Sequence, residues 1–179
     1  MNASEFISAY LPLAQKLWEV LVPGGEPLPL PMPAALEAEV VAAEHHLRVK
    51  LDPMHREFLL HANGWSEFSG TFSLFGTSDL HGSALMDKAQ QQLRLISNTA
   101  LGRYRSKRKQ LLPVAVSDGT LGVLCMLIEK GQVQPPLVWF DNTEPDEYPT
   151  FDAYMEKQLT TLPASIAYFT NRERRPRAN

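Results

Sequence analysis

The sequence predicts an α+β fold. Three observations carry that expectation. Apolar residues recur at helical spacing through much of the first hundred positions, strand-like runs cluster between Leu111 and Phe140, and short turns join those runs. Helices and strands therefore segregate along the chain, whereas a parallel sheet needs them to alternate. At 179 residues the chain suits one domain, since domains commonly run to ~100–200 residues. Hydrophobic residues make up 44% and charged ones 21%, a balance that supports a buried core without a metal or disulfide staple. The single cysteine excludes an internal disulfide and a multi-cysteine zinc site.

The first element is a helix. Phe6, Tyr10, Leu13, Leu17 and Leu21 follow spacings of three and four, and Ser4 is a candidate cap. Pro12 is expected to kink it. Five prolines and two glycines then fill Pro23 to Pro33, a composition that favours an extended linker. This divides the chain into an N-terminal helical arm (1–22), a domain (34–162) and a C-terminal extension with a basic tail (163–179).

Ala34 to Leu47 predicts a second helix, with Leu36, Val40, Ala43 and Leu47 on one face. A third helix starts at Asp52, a good N-cap followed by Pro53 at the first helical position, and stops at Asn63-Gly64. Thr71 to Phe75 predicts a short strand closed by Gly76. Leu85, Ala89, Leu93 and Ile96 place a helix over Leu85 to Leu101. Leu111 to Val116 and Leu121 to Ile128 predict strands joined by Ser117-Asp118-Gly119. Val133 to Phe140 predicts a third, where Pro135-Pro136 marks an edge or a bulge. Asp141 to Pro149 is an acidic loop. Thr150 then caps a last helix through Phe151, Tyr154, Leu159 and Leu162, with Pro163 as its expected end.

No catalytic signature emerges. His45 and His46 are adjacent, and His55 and His61 are six apart, whereas helical metal ligands sit three or four apart. Cys125 lies in an apolar run, the setting of a buried structural thiol. Ser117 belongs to a turn, without the Gly-x-Ser-x-Gly pattern of a nucleophile elbow. Gly24-Gly25 is followed by prolines and not by a phosphate-binding helix start. The expectation is therefore no catalytic residue, no cofactor and no metal. Residues 3–21 contain Glu5, Lys16 and Glu19, which fits neither a signal peptide nor a membrane span. A cytoplasmic location is expected.

Charge gives the functional lead. The net charge of −3 hides blocks of opposite sign. Residues 1–90 carry 11 acidic against 5 basic side chains, 91–115 carry 6 basic and no acidic ones, and 116–160 carry 8 acidic against 2 basic. Such blocks pair with each other or serve a partner. The basic run Arg103, Arg105, Lys107, Arg108 and Lys109 is a short footprint for nucleic acid, and cations at a helix end explain it equally well. The acidic loop, with Asp141, Glu144, Asp146 and Glu147 between Trp139, Phe140 and Tyr148, suits a basic protein partner; the alternative is a solvated loop. Trp65 and Glu67 form a second aromatic and acidic pair, on the surface or closing over the core. Glu37 to Glu44 adds a third acidic stretch.

Three segments resemble a known family. Leu47 to Gly64 holds a Leu-Asp-Pro step, the Phe58-Leu59 pair and a closing Asn63-Gly64. Leu112-Pro113-Val114-Ala115 leads into a glycine-containing turn and a second apolar strand. Val138-Trp139-Phe140-Asp141 precedes an acidic loop and a helix start at Thr150-Phe151-Asp152-Ala153-Tyr154. In this order they are similar to the SUKH superfamily over about residues 34–162. The resemblance implies a central, mainly antiparallel sheet flanked by helices. It also implies a non-enzymatic protein-binding role: bacterial members are regarded as immunity proteins that neutralise toxins, and fungal relatives regulate cell-wall synthesis through protein partners. The expected partner is a basic toxin domain. A regulatory scaffold without a toxin, a nucleic-acid binder and an unrecognised hydrolase are the alternatives.

Overall fold

The strand-like runs assemble into one antiparallel meander. A computed structural model describes residues 1–173; the arginines at 174, 175 and 177 of the expected basic tail lie outside the described residues. Six strands, β1 (Trp65–Ser69), β2 (Phe72–Leu74), β3 (Leu111–Ser117), β4 (Val123–Glu129), β5 (Gln132–Phe140) and β6 (Asp146–Tyr148), lie side by side in chain order. Seven α-helices accompany them among the described residues: α1 (Ala3–Leu21), α2 (Glu37–Leu47), α3 (Pro53–Leu59), α4 (Thr77–Leu80), α5 (Ala84–Leu95), α6 (Asn98–Leu101) and α7 (Phe151–Glu173), with a 3-10 segment over Gly102–Gln110. The expected α+β class, an antiparallel sheet flanked by helices, is what forms.

Register assigns each side chain to a face, because directly paired residues share one and successive residues alternate. One row runs Leu74, Ala115, Leu124, Trp139, Asp146. The opposite face holds Val116, Val123 and Phe140 in one row and Cys125, Val138 and Glu147 in the next. The first face meets α7, where Tyr154 packs edge-on to Tyr148 at 5.1 Å. The second meets the 3-10 segment, where Tyr104 packs edge-on to Phe140 at 5.5 Å. Pro135 and Pro136 fall in a bulge, since Met126 pairs with Leu137 while Leu127 pairs with Gln134. A bulge suits residues that cannot donate to the ladder.

The N-terminal helix is not an appendage. Phe6 and Tyr10 are fully buried in the same core as Trp65 and Phe68. The Tyr10 ring stacks on Phe68 at 4.4 Å, and its hydroxyl donates to the Phe68 carbonyl at 2.8 Å. The Pro/Gly stretch is not a tether either. Leu28 is buried, the Pro29 carbonyl accepts from the Trp65 indole at 2.8 Å, and Met32 N–H donates to Gly64 at 3.0 Å. Its composition reports an extended backbone, which here lies back across the domain.

Other boundaries shift for local reasons. Asn2, not Ser4, caps α1, in a capping box with Glu5. Glu39 accepts from Leu36 N–H at 2.7 Å, so α2 starts at Glu37 and Leu36 stays exposed. Pro163 does not end α7. Its ring faces solvent while Leu162, Ile166 and Phe169 continue the packed stripe, and α1 lies alongside; that packing offsets the lost hydrogen bond. The long helix expected from Leu85 breaks at Ile96, and Ser97 caps α6 by accepting from Ala100 N–H. Arg108 then covers the end of α5, donating to the carbonyls of Leu93 at 2.8 Å and Ile96 at 3.0 Å.

Candidate functional site

The acidic segment after β5 is built by its own hydrogen bonds. Asp141, half-buried, accepts from Thr143 N–H at 2.6 Å and from the Trp139 indole at 3.4 Å. Burial alone would raise this carboxyl, but the Thr143 and Trp139 donors hold it below its ordinary value. Asp141 is therefore the organiser of the turn. Glu144 and Asp146 are exposed beyond it. The chain then pairs with β5 as β6, an edge strand where the residue pattern predicts only a loop.

That pairing separates two neighbours. Asp146 points to the face of Trp139, and Glu147 to the face of Val138. Glu147 is committed within the protein: it pairs with Arg103 and accepts from the Tyr104 hydroxyl at 2.9 Å. The basic run answers the acidic block elsewhere too, with Lys107 on Glu129 at 2.6 Å. The charge blocks of the sequence thus partly close on each other. Between the loop of Asn142–Pro145 and the segment of Ser97–Tyr104 lies an open cleft of about 670 Å³.

The structure does not unite the other candidates with this edge. Trp65 is 1% exposed, edge-on to Tyr10 and Phe68, and so is a core residue, not a partner-binding one. Glu67 is half-buried on β1, at the opposite edge of the strand order. Glu44, in the third acidic stretch, is 5% exposed. It accepts from Lys50 Nζ at 2.8 Å and from Leu51 N–H at 3.1 Å, with Arg56 beside it. Burial opposes its charge, yet those donors hold its pKa below the ordinary carboxylate value.

On the Trp139 face, sequence reasoning misses a group the register assembles. Phe72 from β2 and Trp139 from β5 meet edge-on at 5.0 Å across the small residues Ser117 and Gly122. Beside them Ser117 Oγ lies 3.1 Å from Thr71 Oγ1 and 3.2 Å from Thr120 Oγ1. With Tyr148, Asp146 and Tyr154 these border a cleft of about 290 Å³. The alternation of Trp139 and Tyr148 with their neighbours was the available signal.

His55 and the cysteine are core residues, whereas His45, His46 and His61 are exposed. His55 is 1% exposed, 4.9 Å from the Phe151 ring, and its Nδ1 has no hydrogen-bond partner. Burial pushes its pKa down to about 4. Cys125 is fully buried in β4, which pushes its thiol pKa well up. Among the described residues no three of His, Cys, Asp and Glu cluster as metal ligands, and no helix is long and apolar enough to cross a membrane. A scan of the chain against protein-family models finds no match, and a search of curated proteins finds none.

Proposed function

We propose that this chain is a non-enzymatic protein-binding domain of the immunity type, which docks a basic toxin domain and neutralises it. The observation that carries this reading is the β5–β6 edge. Glu144 in the turn and Asp146 on the short edge strand that follows are exposed, and clefts flank that strand on either face. Carboxylates around aromatic side chains attract a basic surface and anchor it, so such an edge favours fast, steered association. The resemblance of residues 34–162 to the SUKH superfamily supports the same role.

Co-expression with the protein encoded by the adjacent gene tests it. The expected result is a toxic neighbour, rescue by this chain, and a co-purified complex whose association slows with salt. A neighbour that is harmless and does not bind refutes the proposal. A neighbour that binds without being toxic replaces it with a regulatory scaffold role.

A further inference from the structure

The smaller cleft has the make-up of a cation site. Its volume, about 290 Å³, is at the low end for ligand pockets, which run from ~300 Å³. A single side chain suits that space better than a cofactor does. Its aromatic walls come from β2, β5, β6 and α7: Phe72, Trp139, Tyr148 and Tyr154.

The Trp139 ring is held in place from below. A Cβ at Gly122 would lie 2.4 Å from the ring atoms Cζ2 and Cη2. Only a residue without a side chain lets the indole lie there. Phe72 meets the ring edge-on, and Asp141 accepts its N–H. On the other side, Tyr148 and Tyr154 fix each other edge-on. Preformed aromatic walls of this kind bind cations through the negative faces of the rings.

Polar groups complete the cleft: Ser69, Thr71, Ser117, Thr120 and Gln158 join Asp146, and each has an oxygen able to accept. Ser117 is 3% exposed; its Oγ accepts from Thr120 N–H at 3.2 Å and lies within hydrogen-bond distance of both threonine hydroxyls. Each threonine oxygen has two lone pairs, so one remains on Thr71 Oγ1 and on Thr120 Oγ1 for an incoming donor whichever way those hydrogen bonds run. Asp146, exposed at the rim, is the charged residue of the lining, and among the described residues no lysine or arginine lines it. After burial, the Asp146 carboxylate is what raises the neighbouring Tyr148 hydroxyl's pKa, which fits a negative field at the mouth.

We propose that this cleft receives an arginine side chain of the partner, its guanidinium against the aromatic walls and its N–H groups on Asp146 and the threonine hydroxyls. Arginine suits it better than lysine. The guanidinium is planar, weakly hydrated and rich in donors set in a fixed fork, whereas an ammonium is a compact, strongly hydrated point charge. The inference rests on the binding function proposed above for its source of arginine, but not for its test.

The test is a titration of the isotope-labelled full chain with Nα-acetyl-arginine methylamide, followed at the indole N–H resonance of Trp139. That resonance is assigned by its loss in Trp139→Phe. The expected result is a saturable shift at millimolar probe, weakened several-fold in Asp146→Asn, an exposed substitution that leaves the fold intact. Gly122→Ala displaces the ring and abolishes it. No saturable shift refutes the site. An equal response to the norleucine analogue refutes the cation, and an equal response to the lysine analogue refutes the choice of arginine. No toxin enters this experiment, so its failure is distinct from failure of the co-expression test.

Discussion

Replacing His55 with leucine should flatten the acid limb of the protein's stability. His55 is 1% exposed, and burial pushes its pKa down to about 4. In the unfolded chain a histidine titrates near ~6.5. The unfolded state therefore takes up a proton at a pH where the folded state refuses it. Stability from this group is complete above about pH 6.5 and is lost as pH falls toward about 4. Each pKa unit is worth about 1.4 kcal/mol, so the full loss is about 3 kcal/mol, of which about 2 kcal/mol has gone by about pH 5. Leucine removes the titration and also the orphaned Nδ1, whose burial costs ~1–3 kcal/mol. Urea denaturation at pH 7.5 and pH 5 reads both effects. The wild type should lose about 2 kcal/mol more than the variant between the two conditions. The variant should be no less stable at pH 7.5. Equal losses in both proteins would refute the reasoning, since they would place the titration elsewhere.

Three further outcomes follow from the packing. Phe6→Ala should cost ~3–5 kcal/mol in urea denaturation, as large core truncations do; a loss below about 1 kcal/mol would restore the view of α1 as a detachable arm. Arg108→Ala uncaps the carbonyls of Leu93 and Ile96 and should cost ~1.5–3 kcal/mol, as for charge-assisted hydrogen bonds, while Lys109→Ala should stay within about 0.5 kcal/mol. Asp146→Lys and Glu147→Lys should separate, being on opposite faces. The first should slow partner association several-fold at low salt in stopped-flow. The second should lower stability by placing a second cation beside Arg103 where its carboxylate partner had been. Identical effects on both readouts would contradict the register of β6.

Much of the fold was legible because its signals are local. Asp52 accepts from the N–H groups of Met54 and His55, both at 3.0 Å, as Asp-Pro before an apolar stripe predicts. The β3–β4 hairpin was equally plain, two apolar runs around Ser117-Asp118-Gly119. The two edge strands were not. β1 and β6 each have a partner on one side only, so they keep charged and polar residues that a central strand would not. The course of the Pro/Gly stretch and the passage of α7 through Pro163 depend on tertiary packing, which no local pattern encodes. The same applies to the candidate site. Asp146 and Trp139 stood out by type and proximity. Phe72, Ser117 and Tyr154 join them only through strand register and a helix that returns over the sheet.

The contact of α1 with α7 also sets an order of events during synthesis. Every strand finds its partners among its neighbours in sequence, so the sheet can be complete once β6 has left the ribosome. Phe6 and Tyr10 meet β1 early, but α7 is made after all six strands. At ~5–20 residues per second, the stretch from Phe151 to Glu173 takes roughly 1–5 s to make. Throughout that interval the Tyr148 side of the sheet lacks its cover. A chaperone that recognises exposed aromatic surface would have that delay of a few seconds in which to act.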